Sequence, residues 1–248
     1  MKRIAALAVL LVLAGCSTVD SKDIRTSGMT ATYVVTLPES TEAADVSASF
    51  RVGTLTFVEL GDGESIKASG GGKDVDLKHH RAAGVTEYTG QLDGVVDPGT
   101  EITFDQTRGS NDDAAPQSTV KLPERVRLVA PPAATTYSRR AAIPVRFESQ
   151  PSETPTILTW AGQCVQTGSL QLEAGRTSAS IPIGSIKPVA GTASAGTSPG
   201  TSPGNTQATT CPVDLTLTRR TEGTIDKAFK DGTITAESQS VRRITSAP

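Results

Sequence analysis

The chain has 248 residues, and its 24 Lys and Arg against 26 Asp and Glu give a formal net charge of −2 at pH 7. This length suffices for one large or two small domains, and the charge argues against a nucleic-acid-binding protein, which would normally be basic. Aromatic residues make up only 4% of the chain, so Val, Ile and Leu must build any core. Frequent Ser and Thr, without long periodic runs of Leu, Ala, Glu and Lys, favour strands over helices.

The N-terminal residues have the pattern of an export signal. Lys2-Arg3 is basic, and residues 4–13 form an uninterrupted apolar run. That run is shorter than the roughly 20 residues that a membrane-spanning helix needs, and its length is typical of a signal peptide. The tetrapeptide that follows, Leu13-Ala14-Gly15-Cys16, resembles the lipobox of bacterial lipoproteins. The resemblance implies removal of residues 1–15 and acylation of Cys16.

A lipidated Cys16 would make the membrane a partner of this protein. One acyl chain binds a bilayer only marginally, whereas two or three give a lasting anchor. The residue after the cysteine is Ser17. If the source is Gram-negative, the resemblance implies that a serine at this position directs the lipoprotein to the outer membrane. The protein would then face the periplasm or the exterior. Residues 16–28 are then predicted to be the lipidated N-terminus and a polar tether. The alternative is an ordinary signal peptide that happens to contain a cysteine.

Beyond residue 28, apolar residues recur at every second position. This period is typical of antiparallel strands with one buried and one solvent-facing side, and Gly, Asp and Pro clusters separate the stretches. We therefore predict a first β-sandwich domain over residues 29–123. Its predicted inward-facing residues include Val46, Ala48, Phe50, Val52, Val75, Leu77, Ile102 and Phe104.

The alternation restarts in the second half, which predicts another β-sandwich over residues 124–248. The boundary is expected at Leu122-Pro123 or at Pro131-Pro132, and residues 226–229 could form one helical turn. The predicted fold is thus all-β, with two consecutive antiparallel sandwiches of the immunoglobulin-like kind. Predicted inward-facing residues of the second are Ile143, Val145, Phe147, Ala179, Ile181, Ile183, Val213, Leu215 and Leu217.

The segment 196–204 contains the pattern G-x-S-x-G twice, which surrounds the nucleophile of many serine hydrolases. In each copy the serine is followed by a proline, Pro199 or Pro203. Proline has no N–H to donate to an oxyanion. The surrounding residues are almost all Gly, Ala, Ser, Thr and Pro, so we predict a flexible loop over residues 190–210 without a catalytic serine.

Other polar groups that could form a site have simpler explanations. His79 and His80 are the only histidines, and adjacent strand residues point to opposite faces, which leaves zinc short of ligands. Acidic residues in turns can bond the local backbone, although such loops also suit calcium. No catalytic residue, metal or cofactor is predicted. The acidic groups are Asp62/Glu64, Asp93/Asp97 and Asn111-Asp112-Asp113, and the arginine pairs predicted to be solvated are Arg139-Arg140, Arg219-Arg220 and Arg242-Arg243.

Two further cysteines would meet oxidising conditions after export. Cys211 shares the apolar phase of Val213, and Cys164 shares that of Trp160. Both should point inward, so we predict a Cys164–Cys211 disulfide between two strands, with two free buried thiols as the alternative. The set resembles an immunoglobulin core with its disulfide and buried tryptophan. Because Trp160 precedes Cys164 on what reads as the same strand, the resemblance implies the architecture and not the topology.

The C-terminal segment carries one further resemblance. The stretches Thr224-Ile225-Asp226-Lys227-Ala228-Phe229 and Gly232-Thr233-Ile234-Thr235-Ala236, taken with the Trp160 and cysteine pattern, resemble uncharacterised two-domain β-rich bacterial lipoproteins. That family implies no activity.

The sequence favours a lipid-anchored, non-enzymatic cell-envelope protein with a structural or binding role, whose partner could be an envelope protein or a polysaccharide. One alternative is a module that binds an extended peptide by strand addition at a sheet edge. Another is a cell-envelope hydrolase that uses Asp74 and Asp76 as acid and base, because both lie on one strand face about 7 Å apart.

Overall fold

In this computed structural model, the described residues are 17–82, 84–109, 114–149, 154–189 and 210–248. Within these ranges the chain forms strands and two short 3-10 turns, Ser21–Asp23 and Thr26–Gly28, and no α-helix. In the described part, no helix has the length and apolar character needed to cross a membrane. The loop predicted over residues 190–210 lies almost entirely outside the described residues.

The strands of the first half are β1 (Ser17–Asp20), β2 (Thr30–Pro38), β3 (Ala43–Val52), β4 (Thr56–Glu59), β5 (Ser65–Gly70), β6 (Lys73–Asp76), β7 (Lys78–Ala82), β8 (Val85–Asp93), β9 (Glu101–Thr107) and β10 (Ala115–Lys121). Those of the second half are β11 (Val126–Ala130), β12 (Thr136–Ser138), β13 (Ile143–Ser149), β14 (Thr156–Gly162), β15 (Val165–Leu172), β16 (Ser178–Ile181), β17 (Cys211–Glu222) and β18 (Asp231–Ala247).

One long sheet runs through the whole molecule, in the order β1-β4-β3-β2-β18-β17-β14-β15, with β8 beside β3, β7 beside β8 and β12 beside β18. A four-stranded sheet, β10-β9-β5-β6, covers its first part, and a three-stranded sheet, β11-β13-β16, covers its second part. The prediction of an all-β fold with two sandwiches is confirmed. Pairing is antiparallel except between β1 and β4, β12 and β18, and β18 and β2, which are parallel.

The C-terminal strand β18 belongs to both sandwiches. Its residues 231–239 pair with β2, and its residues 235–246 pair with β17. Alternate residues of a strand face the same side of the sheet, and Ile234, Ala236 and Ile244 are all buried on one side. Both small sheets therefore cover the same face of the long sheet, one after the other.

The first core is built largely from the residues that alternation predicted. Val46, Ala48 and Phe50 are at most 2% exposed, and Tyr33 stacks on Phe104 with ring centroids 4.5 Å apart. The prediction of a single strand through Val75 and Leu77 is wrong. The chain leaves the small sheet after Asp76 and enters the long sheet at Lys78, so two strands replace one.

The second core confirms most of its predicted residues, including Val145, Phe147 and Leu215. The prediction for Ile183 is wrong, because β16 ends at Ile181 and the Ile183 side chain is 66% exposed. The alternation stops where Pro182 begins a turn, in which Ser185 N–H donates to the Pro182 carbonyl at 3.1 Å.

The division at residues 123 and 124 does not separate the two cores completely. Phe229, Ile234 and Ala236 come from the second half of the chain and pack in the first core. The shared strand β18 explains this, because its first half is a central strand of the first sandwich. Residues 226–229, where one helical turn was expected, form a turn that is not helical, with Phe229 N–H donating to the Asp226 carbonyl at 3.2 Å.

A disulfide joins Cys164 to Cys211 within the long sheet of the second sandwich, with the Cα atoms 6.0 Å apart. Cys211 is buried at the start of β17. Cys164, however, does not lie on the strand of Trp160 as expected, because β14 ends at Gly162 and Cys164 lies in the hairpin turn before β15. The bridge therefore fixes a hairpin turn to a neighbouring strand.

The N-terminal segment 17–28 is packed on the first sandwich, so the prediction of a tether is wrong for these residues. Its first residues form β1, and Ser21 and Thr26 are buried. Arg108 binds the backbone of this segment, since its Nη2 donates to the carbonyls of Ser21 and Ile24 at 2.9 Å. Glu64 neutralises Arg108, with Nε and Oε1 3.0 Å apart and both side chains at most 6% exposed.

We expect Arg108→Ala to lower the free energy of unfolding by about 3–5 kcal/mol, because it leaves the Glu64 carboxylate buried without its partner. The measurement is urea unfolding, with amide hydrogen exchange of residues 17–28 as a local readout. Arg81→Ala is the matched control, since Arg81 pairs with Glu59 on the surface and exposed pairs add little to stability. Equal stability of the two variants would contradict the proposed role of Arg108.

Reduction of the disulfide, or Cys211→Ala, is expected to lower the stability of the second sandwich by about 4 kcal/mol, because the bridge closes a long loop in the unfolded chain. Fluorescence of Trp160, the only tryptophan, should report the loss. A thiol count on the denatured, unreduced protein tests the bridge directly. Two free thiols besides Cys16 would show that the bridge does not form.

Candidate functional site

A groove of about 540 Å³ opens at the outer edge of the second sandwich. One wall is strand β15, the last strand of the long sheet. The other wall is the turn that follows β16. Apolar groups of Trp160, Leu170 and Ile183 alternate there with polar ones. The full lining is Trp160, Gln166, Thr167, Ser169, Leu170, Pro182, Ile183, Gly184, Ser185 and Lys187.

The indole of Trp160 lies across the strand beside it. Trp160 faces Gly168 of β15 in the sheet register, and a Cβ at position 168 would come within 2.4 Å of indole carbons. Only glycine leaves room for the ring, which thereby reaches the sheet edge. The indole Nε1 is buried and has no hydrogen-bond acceptor among the described residues. A buried donor of this kind is uncommon, because buried polar groups are nearly always paired.

The described residues cover the outer edge of β15 only in part. Near its start, Gln166 N–H donates to the Lys187 carbonyl at 2.7 Å, and Val189 N–H donates to the Cys164 carbonyl at 3.0 Å. Alternate residues of a strand direct their backbone groups to the same side, so Gly168 and Leu170 present N–H and C=O groups outward. In the described part of the chain, no strand pairs with this stretch of the edge.

A second depression, also of about 540 Å³, lies on the first sandwich, largely on the outer face of β2, β3, β8 and β7. Its polar groups partly satisfy one another, since Gln91 Nε2 donates to Asp45 Oδ1 at 2.9 Å. His80 and Lys78 also line it. Its lining residues include no Phe, Tyr, Trp or Cys.

The two histidines lie on opposite sides of β7, as alternation requires. His79 contacts the Tyr88 ring at 5.4 Å between centroids, and its Nε2 is 3.7 Å from Glu59 Oε1. His80 lines the depression on the other face. Burial raises the pKa of the Tyr88 hydroxyl, which accepts a hydrogen bond from Leu60 N–H at 2.7 Å.

The acidic turns do not converge on one point. Glu64 forms a buried ion pair with Arg108, whereas Asp62 is exposed. Asp93 and Asp97 are also exposed, and Asn111-Asp112-Asp113 lies outside the described residues. Within the described ranges, no three His, Cys, Asp or Glu side chains gather closely enough to hold a metal ion.

Of the two carboxylates considered for hydrolysis, Asp76 lines the depression on the first sandwich, whereas Asp74 does not. Asp74 is 64% exposed and lies 3.7 Å from the ammonium group of Lys67, and Asp76 is exposed. The two G-x-S-x-G copies at 196–204 lie outside the described residues. Cys16 also lies outside them, and its acylation stays a prediction.

The arginine pairs differ from one another, and the prediction that all are solvated is wrong for Arg219 and for Arg242, whose guanidinium donates to the Leu128 carbonyl. Arg219 is 1% exposed, its Nη1 lies 3.6 Å from Glu124 Oε2, and its Nη2 donates to Thr156 Oγ1 at 3.2 Å. Burial lowers the pKa of Arg219. Arg243 is solvated and bonds both carboxylate oxygens of Asp214 at 2.7 Å, which lowers the pKa of Asp214.

The sequence predicted that Trp160 lies in the second core, but it did not predict the groove. The groove depends on which strand is last in the sheet and on where the chain turns after β16, and neither follows from alternation. One local signal was available, since Gly168 interrupts an otherwise ordinary strand sequence, and a strand glycine often marks the close approach of another group.

No family model and no curated protein matches the chain. Among solved structures, it is similar to DIP-gamma IG1+IG2, at 7% identity over 88% of this chain and 94% of that one, with a TM-score of 0.23. It is also similar to Clostridium thermocellum CbhA fibronectin(III)-like modules, at 10% identity over 87% and 93%, with a TM-score of 0.25.

A third similar structure is Bacteroides ovatus SGBP-B in complex with a mixed-linkage heptasaccharide, at 9% identity over 99% of this chain and 69% of that one, with a TM-score of 0.23. At these TM-scores the backbones do not superpose closely. The β-sandwich assignment therefore rests on the strands and sheets of this chain, and no ligand is carried over from these proteins.

Proposed function

We propose that this protein is a lipid-anchored, non-enzymatic cell-envelope protein that binds a partner through the groove of its second sandwich. The stretch of the β15 edge that no described strand pairs with, beside the buried Trp160 indole, carries the binding part of this proposal. The complete lipobox at residues 13–16 carries the anchor.

The envelope location draws support from two independent features. The signal-like N-terminus ends in Cys16, where acylation would hold the chain at a membrane. The Cys164–Cys211 disulfide suits an oxidising compartment, since such bonds are rare in reducing cytoplasm.

An extended polypeptide is the partner that best fits the groove. The outward N–H and C=O groups of Gly168 and Leu170 offer the pattern used in strand addition, in which backbone bonds give affinity and side-chain pockets give selectivity. Trp160 and Ile183 provide an apolar surface for one side chain of the added strand.

Cys16→Ala is expected to move the protein from the membrane fraction to the soluble fraction, because the acylation site is removed. Fractionation of expressing cells with immunodetection measures this. Cys211→Ala is the matched control and should stay with the membrane, because it changes a cysteine that is not acylated. Unchanged membrane partitioning of the Cys16 variant would contradict the anchor.

A photo-crosslinking amino acid placed at Ile183, inside the groove, is expected to give a discrete adduct in intact cells of the source organism. The same group at Val129, which is 43% exposed on β11, serves as the control outside the groove. Digestion of the adduct with protease or glycosidase distinguishes a polypeptide from a polysaccharide partner. Identical adducts from both positions, or none from either, would contradict binding in the groove.

A further inference from the structure

We propose that the hairpin loop of residues 53–55, between β3 and β4, rests on the lipid surface that holds Cys16, and that the second sandwich stands at the membrane-distal end. This inference rests on the proposed anchor and adds to it a contact surface and an orientation. It follows from the sheet register, the packing of the N-terminal segment and one exposed apolar side chain.

The sheet register places the anchor beside this loop. Ser17 pairs with Thr56, and Thr56 pairs with Val52. These residues form the last paired row of the sheet at this end, and residues 53–55 extend beyond that row. Cys16 is bonded directly to Ser17, and Ser17 pairs with Thr56, the residue that follows Leu55. An acylated Cys16 would therefore enter the bilayer next to the loop.

No linker residue lies between the proposed anchor, Cys16, and the first paired residue of the sheet, Ser17. Pairing of β1 begins at Ser17 itself, whose hydroxyl lies 2.9 Å from Thr56 Oγ1. Four residues later Ser21 is buried, and Arg108 binds its carbonyl. A disordered linker would allow the body to move away from the membrane, whereas a paired strand holds the sheet end at the depth of the lipidated residue.

The chemistry of the loop suits the interface between headgroups and acyl chains. Leu55 is 58% exposed, and an apolar side chain beside an acyl anchor gains by entering that interface. Gly53 has a φ of 63°, which lets the hairpin turn tightly, and Thr54 is exposed. Arg51 lies one residue before the last paired row, and its guanidinium is 5.8 Å from the Phe57 ring centroid. A cation at this level favours anionic headgroups.

Strand directions give the orientation of the rest of the molecule. β1 is parallel to β4, β4 and β2 are both antiparallel to β3, and β2 is parallel to β18. β1 and β18 therefore run in the same direction, away from the loop end. The 17 residues of β18 span about 55 Å at the usual rise of a strand. Trp160 shares a row with Leu215 and Arg242, far along this strand.

Depth-dependent quenching of tryptophan fluorescence tests the proposal. The full-length protein is expressed with export, purified from membranes and reconstituted in vesicles of phosphatidylglycerol and phosphatidylethanolamine with brominated acyl chains. Leu55→Trp places a reporter in the loop. Val241→Trp is the matched control, since Val241 is similarly exposed at 54% but lies far along β18. The unsubstituted protein gives the baseline of Trp160.

The emission added by Leu55→Trp should fall about twofold or more, because the loop would lie within the headgroup and acyl boundary. The emission added by Val241→Trp and that of Trp160 should be unchanged. Thr54→Trp is a second loop reporter with the same expectation. No quenching in either loop variant of acylated, vesicle-bound protein overturns the loop contact, and equal quenching at Val241 overturns the orientation.

Failure of the underlying anchor is distinguishable from failure of this inference. Mass spectrometry of the purified protein reports acylation of Cys16. An unmodified cysteine, with protein absent from the membrane fraction, overturns the anchor and the contact together. An acylated protein whose loop reporters are not quenched leaves the anchor standing and overturns the contact alone.

Discussion

The backbone ladder on the two sides of β18 is the constraint on which the rest of the molecule depends. This single strand donates and accepts hydrogen bonds with β2 on one side and with β17 on the other, and residues 235–239 do both. Without β18, neither sandwich has a complete share of the long sheet. The relative position of the two sandwiches is therefore set by sheet register, a much stiffer connection than the flexible linker usual between domains.

Polar groups fill the place between the two cores, where β11 of the second covering sheet meets β18. Ser238 and Ser240 occupy inward positions of β18 there, and their hydroxyls accept from the N–H groups of Val126 and Leu128 at 3.0 and 2.8 Å. The Arg219–Glu124 pair lies beside them. Buried ion pairs add little net stability compared with apolar packing, but a misplaced partner is costly, so these groups fix where β11 meets the long sheet.

Alternation in the sequence predicted the strands whose inward residues are large and apolar, such as β3, β9, β13 and β17. It could not predict β18, because the inward positions in its middle are Ser238, Ser240 and Arg242, which read as solvated. The burial of Arg219 and Arg108 could not be predicted for the same reason, since a charged residue in a sequence indicates exposure until its buried partner is known. Residues 17–28 read as a tether because their burial depends on Arg108, which lies far away in the sequence.

The groove could be predicted only in part for the same reason. Trp160 was expected to be inward-facing, and it is, but the identity of the edge strand is a property of topology. The turn at residues 163 and 164 likewise separated Cys164 from the strand of Trp160, although the two lie on the same apolar phase. Local pattern thus identified inward-facing residues, while long-range pairing decided which of them reach a surface.

The parallel arrangement of β1 and β4 also has a mechanical consequence. A pulling force applied at residue 17, away from the second sandwich, acts along the axis of β1. Its ladder with β4 then resists in shear, so that the four paired rows share the force and do not open one after another as a peeled hairpin would. Any rows that fail pass the force to Ser21 and the guanidinium of Arg108 beneath it. Tension at this end of the chain is therefore met by a strand and then by a buried cation, before it reaches the first core.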